Sequence, residues 1–135
     1  MSYFICKARY NKVMENGAEK KVTEAYLVEA VTASDAESII TAQLKPCFND
    51  IAVKSIATKD YAEISNVDKE LWFEAKVRMI TIDERSGKEK KSTFKWLINA
   101  DNFTEAHQHV QSLLKESVSD IEIISISETN IIEVL

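Results

Sequence analysis

His107 and His109 are the only histidines in the chain, and they stand two residues apart. On a helix that spacing sends the two rings to different sides, so the pair cannot close on one metal ion as an i, i+4 pair does. The matching places in the first half of the chain hold Glu37 and Ile39, and the histidines read as solvated helix surface. Cys6 and Cys47 are too few and too far apart for a disulfide framework or a zinc site. Cys6 alternates with Phe4 and Ala8, which makes it a small core filler rather than a nucleophile in an open, electropositive site. No Ser–His–acid set is recognisable. The two glycines, Gly17 and Gly87, both sit in turn sequences, so no phosphate loop is present. Asp83-Glu84 and the acids of 120–122 form small clusters. Such pairs serve general acid–base work or hold a divalent cation in some proteins and are plain solvated surface in most. The expectation is therefore no catalytic residue, no metal ligand and no cofactor.

Charge is more informative. The chain carries −5 overall, with no global pull toward nucleic acid or anionic membrane. Yet residues 3–30 and 72–100 hold twelve of the seventeen Lys and Arg against eight acids, which leaves these segments at +4 and the rest at −9. Lys7, Arg9, Lys76 and Arg78 are basic at equivalent places, and Tyr3, Trp72 and Trp96 lie in or beside the same segments. A basic sheet face with an exposed aromatic such as Trp72 can hold single-stranded nucleic acid, through phosphate contacts and base stacking. The competing reading has lysines guarding exposed hairpins against edge-to-edge association, with the repeated cations held in surface salt bridges. The candidate binding residues are Lys7, Arg9, Lys76, Arg78 and Trp72.

The elements that would position them come in two copies. Phe4, Lys7 and Arg9 recur as Phe73, Lys76 and Arg78 at an offset of 69. After a one-residue insertion in the turn the offset becomes 70 and holds to the end of the chain. Gly17, Glu19, Lys20, Lys21 and Thr23 then match Gly87, Glu89, Lys90, Lys91 and Thr93. One register accounts for eighteen identities, so the chain is a tandem duplication. Repeat one spans 3–64, a polar linker 65–70, and repeat two 71–135, fused into a single domain.

Each copy reads as strand, strand, helix, strand and a last short strand. Phe4, Cys6, Ala8 and Tyr10 alternate inward with Lys7 and Arg9 outward; Phe73, Ala75, Val77 and Met79 do the same with Lys76 and Arg78 outward. The second strands put Tyr26, Val28 and Ala30, or Trp96, Ile98 and Ala100, on the core face. Ser34 and Thr104 are the expected N-caps, with Glu37 completing a capping box for Ser34. Ala36, Ile40 and Leu44, and Ala106, Val110 and Leu114, make one apolar stripe on each helix. The third strands change apolar parity at Ser55-Ile56 and Ser125-Ile126, which predicts a bulge. Residues 61–64 and 131–134 are expected as edge strands.

Taken together, the segments Lys20-Lys21-Val22-Thr23-Glu24-Ala25-Tyr26-Leu27-Val28-Glu29-Ala30, Ser34-Asp35-Ala36-Glu37, Trp72-Phe73-Glu74-Ala75-Lys76-Val77 and the run from Ile80 to Lys91 resemble the family known as domain of unknown function 4494, of Bacteroides-type bacteria and their phages. The resemblance covers nearly the whole length. It implies a bacterial cytoplasmic or mobile-element setting and brings no activity and no site residues with it.

The fold expected is α+β, a tandem ββαβ(β) duplication about a pseudo-two-fold, with both helices packed on one side of largely antiparallel sheet. Apolar runs fall far short of the roughly 20 residues of a membrane span. The first residues read as strand rather than signal peptide, which points to the cytoplasm. The function expected is a non-enzymatic interaction module for a protein or nucleic-acid partner. Its alternatives are a single-stranded nucleic-acid accessory protein and a small enzyme with a carboxylate-lined cleft between the repeats. Monomer and homo-oligomer stay open.

Overall fold

The computed structural model describes residues 2–116 and 120–135. The order is β1 (Ser2–Val13), β2 (Glu19–Ala30), α1 (Ala33–Leu44), β3 (Asn49–Lys59), β4 (Glu63–Ser65), β5 (Leu71–Ile82), β6 (Glu89–Ala100), α2 (Phe103–Glu116), β7 (Asp120–Glu128) and β8 (Ile131–Val134). β5 repeats β1 at an offset of 69 and β6 repeats β2 at 70, the same offsets that relate the sequences. The architecture is α+β, as expected, with two mixed four-stranded sheets ordered β3-β1-β2-β8 and β4-β6-β5-β7.

Each sheet belongs to its own compact unit. The first comprises Met1–Asp60 with Asn130–Leu135, the second Tyr61–Thr129. In the first, Phe4, Cys6, Ala8 and Tyr10 of β1 meet Tyr26, Val28 and Ala30 of β2 and Ala36, Ile40 and Leu44 of α1 in one buried cluster. Period-two alternation on the strands and a three-to-four-residue stripe on the helix are what bring these side chains to one layer. In the second, Ala75, Val77, Trp96, Ile98 and Val110 form the equivalent cluster, with Phe73, Ala100 and Ala106 beside it. Met79 and Leu114, expected inward, are only half-buried.

The hairpins turn at residues 14–18 and 83–88, so the inserted residue is taken up in the second loop. Gly17 (φ 82°) and Gly87 (φ 68°) both adopt the left-handed conformation that glycine reaches without a Cβ penalty. β3 and β7 pair with β1 and β5 through register shifts that leave Lys54 and Ile124 as the extra residues, next to the parity change.

Both helices begin two residues earlier than expected. Thr32 Oγ1 accepts from the Asp35 N–H (3.1 Å) and Asn102 Oδ1 from the Glu105 N–H (2.9 Å), so Thr32 and Asn102 are the caps rather than Ser34 and Thr104. Asn102 Nδ2 reaches back to Glu105 Oε2 at 3.5 Å, and an acid at the third position of each helix also suits the positive end of its dipole. Thr32→Ala and Asn102→Ala are each expected to lower stability by about 1 kcal/mol in guanidinium titrations, whereas Ser34→Ala and Thr104→Ala stay within about 0.5 kcal/mol.

The short strands β4 and β8 are edge strands, each parallel to a second strand, but of the other repeat. β8 pairs with β2 (Ala25↔Ile131, Tyr26↔Glu133, Leu27↔Val134), and β4 with β6 (Glu63↔Trp96, Ile64↔Leu97, Ser65↔Ile98). β2 and β6 are buried on both faces over part of their length: Ala25 and Leu27 are as inaccessible as Tyr26 and Val28, and Leu97 and Asn99 as Trp96 and Ile98.

Candidate interaction face

Strand parity places Lys7, Arg9, Lys76 and Arg78 on the sheet faces away from the helix-packed cores. Lys7, Arg9 and Lys76 are exposed and Arg78 is half-buried. The register gives each its neighbours. Lys7 lies between Ala25 and Ser55, and Arg9 between Thr23 and Ala52. Lys76 lies between Lys95 and Ser125, and Arg78 between Thr93 and Glu122. Directly opposed like charges such as Lys76 and Lys95 cost stability unless an anion is near. Among the described residues, no ion pair holds any of the four; Lys12 pairs instead with Glu24 (3.8 Å), and Lys69 with Asp101 (3.4 Å) and Glu105 (3.9 Å).

Trp72 does not stand beside them as an exposed platform. It is 4% exposed, and Trp96 9%. Trp72 and Phe73 are consecutive, so their rings point to opposite faces of β5, and both are buried. Tyr3, on the same face of β1 as Lys7 and Arg9, is half-buried, and Phe94 (37%) and Phe103 (54%) are more exposed. Phe94 is opposite Val77, on the face away from Lys76. Its counterpart in the first repeat is Glu24, so the repeat pattern gave no warning of it.

Among the described residues, pairing with the third strands ends at Asn11 and Ile80, and each hairpin continues beyond as two strands. Lys12 faces Lys20 and Thr81 faces Lys90 on these arms. Val13 (64% exposed) and Ile82 (69%) occupy equivalent positions near the two tips.

The other chemical candidates are absorbed by structure. His109 Nε2 and the Ser65 hydroxyl are 3.0 Å apart, and the His107 ring lies near-parallel to Phe103 at 6.4 Å. Cys6 is fully buried, and burial pushes its thiol pKa up, away from the reactive thiolate. Among the described residues, no group of three or more His, Cys, Asp or Glu is gathered as a metal site would require. An open depression of about 440 Å³ is lined by Thr41, Lys45, Phe48, Asn49, Asp50 and Ile51, but its one carboxylate, Asp50, accepts from Asn11 Nδ2 at 3.0 Å. No helix of the described residues is long and apolar enough to cross a membrane.

One polar network is confined to the first unit. The Tyr10 hydroxyl donates to Glu24 and lies 2.8 Å from the Tyr26 hydroxyl, and Phe48 stacks on the Tyr10 ring at 4.0 Å. In the second unit Tyr61 donates to Glu74 at 3.0 Å. Burial, reinforced at Tyr10 and Tyr61 by these carboxylates, raises the pKa of Tyr10, Tyr26 and Tyr61 above the ordinary phenol value. A raised folded-state pKa stabilises the fold below the unfolded value near 10 and loses that contribution as pH rises beyond it. Stability is expected to fall above about pH 10. Tyrosinate absorbance at 295 nm from these three residues should then appear together with the loss of circular dichroism, not ahead of it.

A family model described as a domain of unknown function, DUF4494, matches residues 2–135 of the chain. No curated protein and no solved structure matches it.

Proposed function

We propose that this chain, which belongs to the DUF4494 family, is a non-enzymatic interaction module that binds the phosphate backbone of a single-stranded nucleic acid through Lys7, Arg9, Lys76 and Arg78. One observation carries the reading: the same pair of cations stands on the core-distal face of both sheets, and among the described residues none is tied to a carboxylate. Cations left open on one face of a chain of net −5 form a local positive field, and a polyanion is attracted to it. With Trp72 buried and Tyr3 half-buried, the binding rests mainly on charge, so it is sequence-tolerant and strongly salt-dependent. The setting proposed is a bacterial cytoplasm or a phage or other mobile element, as the resemblance of the strand and turn sequences implies.

Fluorescence anisotropy with labelled single-stranded DNA and RNA tests this. Four phosphate contacts on a single strand give a slope of about −2.8 in log affinity against log salt, so affinity should fall about 50-fold between 50 and 200 mM salt. Absence of binding at 50 mM salt sinks the reading. A protein partner is the second reading, favoured by Val13 and Ile82, two equivalent apolar side chains held out near the hairpin tips.

A further inference from the structure

We infer that a repeat of this kind is completed only by the last strand of another repeat, and that the edge of β2 filled by β8 accepts that strand from a second copy of this chain as well as from its own. β3 lies at one edge of the first sheet and the slot of the fourth strand at the other, beyond β1 and β2. Crossing three strand spacings takes about 14 Å. Lys59, at the end of β3, is level with Tyr3 and hence with Glu29, whereas the slot begins beside Ala25. That adds about 13 Å along the strands, for a separation of about 20 Å. Tyr61, the counterpart of Ile131, is two residues from Lys59 and can be no more than about 7 Å away.

The second sheet repeats the problem. Glu128 ends β7 level with Phe73 and Ile98, and the connection to β8 is Thr129 and Asn130 alone. Three residues span about 10 Å, half of what a return to its own sheet requires. A parallel crossover ordinarily uses a dozen residues or more. So β4 leaves for β6 and β8 leaves for β2, and each repeat is both donor and acceptor.

The β8 strand makes every contact of the slot from six residues. Ile131 is buried, and the Leu135 N–H donates to Leu27 O at 2.8 Å. Asn130–Leu135 from a second copy would make the same contacts, with changes at the two crossings between the units, residues 60–62 and 129–130. Two copies trading this segment close as a reciprocal dimer. Within one chain the donor strand is at an effective concentration on the order of mM, so the monomer prevails in dilute solution and the exchanged dimer forms when folding occurs at comparable concentration.

The intact chain is unfolded in guanidinium, refolded at about 1 mM and at about 1 μM, and both samples are sized by light scattering at 1 μM. A dimer from the concentrated sample that persists on dilution is expected; monomer from both overturns the inference. The variant lacking 130–135 should give no such dimer, and a dimer from it also overturns the inference. Deleting Asn130 alone shortens the second crossing and should shift the chain to dimer at about 10 μM; a folded monomer there has the same negative force. If either deletion fails to fold, the refolding of the intact chain still decides.

Discussion

Asn99→Asp is expected to lower the melting temperature by about 15 °C at neutral pH. Asn99 is fully buried in β6, a polar side chain between Ile98 and Ala100. Its Nδ2 donates to the carbonyls of Lys69 and Leu71, each at 2.9 Å, and its Oδ1 accepts from the Lys69 N–H. One amide thus pairs three backbone groups where the polar linker enters β5. A carboxylate there keeps the acceptor but turns a second oxygen toward two carbonyl oxygens. The buried charge has no cation to compensate it, a cost of about 4 kcal/mol. At about 4 °C per kcal/mol for a chain of this size, that is about 15 °C. Asn99→Leu removes the bonds without adding charge and should cost about 2 kcal/mol, since the linker side of the bonds is only partly buried. The two variants separate by pH. The new Asp has a folded-state pKa raised above its unfolded value near 3.9, so its neutral form is favoured by the fold. Its penalty is therefore full at pH 7 and shrinks as pH falls toward 4, while the Leu penalty stays constant. An Asp variant melting within 3 °C of the parent at pH 7 would remove Asn99 from its role as the latch of the linker.

The sequence pattern made the strands legible because one face of each is apolar at period two, and Phe4, Cys6, Ala8 and Tyr10 all lie in the core as that period requires. The caps were legible but misassigned. Thr32-x-x-Asp35 and Asn102-x-x-Glu105 carry a capping residue and an acid three places on in both copies, a stronger joint signal than Ser34 with Glu37 in one copy alone. The burial of Trp72 had its own warning. Ala25-Tyr26-Leu27-Val28 and Trp96-Leu97-Ile98 are continuous apolar runs, the mark of strands covered on both faces, and Trp72 is opposite Asn99 on the second of those faces. Apolar alternation says nothing about which repeat an edge strand joins. That information lay in the connections, since 60–62 and 129–130 are too short to carry a parallel crossover. Asn99 was not legible, because its counterpart Glu29 is exposed and the repeat comparison gives the position no special weight.

Lys76→Glu combined with Arg78→Glu is expected to weaken binding to single-stranded nucleic acid by about 100-fold at 50 mM salt, equivalent to about 2.8 kcal/mol. The reversal removes two of the four proposed phosphate contacts and sets two carboxylates beside Ser125 and Glu122 on the same face. The remaining two cations predict a salt slope cut from about −2.8 to about −1.4, and that change of slope distinguishes lost phosphate contacts from a general loss of fold. Stability should move little. Neither side chain is fully buried or ion-paired among the described residues, and relieving the opposition of Lys76 and Lys95 offsets the new opposition of a carboxylate at 78 to Glu122. Lys7→Glu with Arg9→Glu is the matched experiment on the first sheet. Equal losses from the two pairs mean that each sheet contributes its own phosphate contacts. A larger loss from the second pair assigns the contact to the unit in which Lys95 adds a third cation, since the equivalent place in the first repeat is Ala25. Arg78→Lys then reads the chemistry of the contact, because a point charge keeps most of the affinity and a two-pronged guanidinium contact does not survive the exchange. Unchanged affinity in both charge-reversed chains, with the slope intact, would place the phosphate contacts elsewhere, and the two-stranded arms bearing Lys12, Lys20, Lys90 and Lys91 would be the next pairs to reverse.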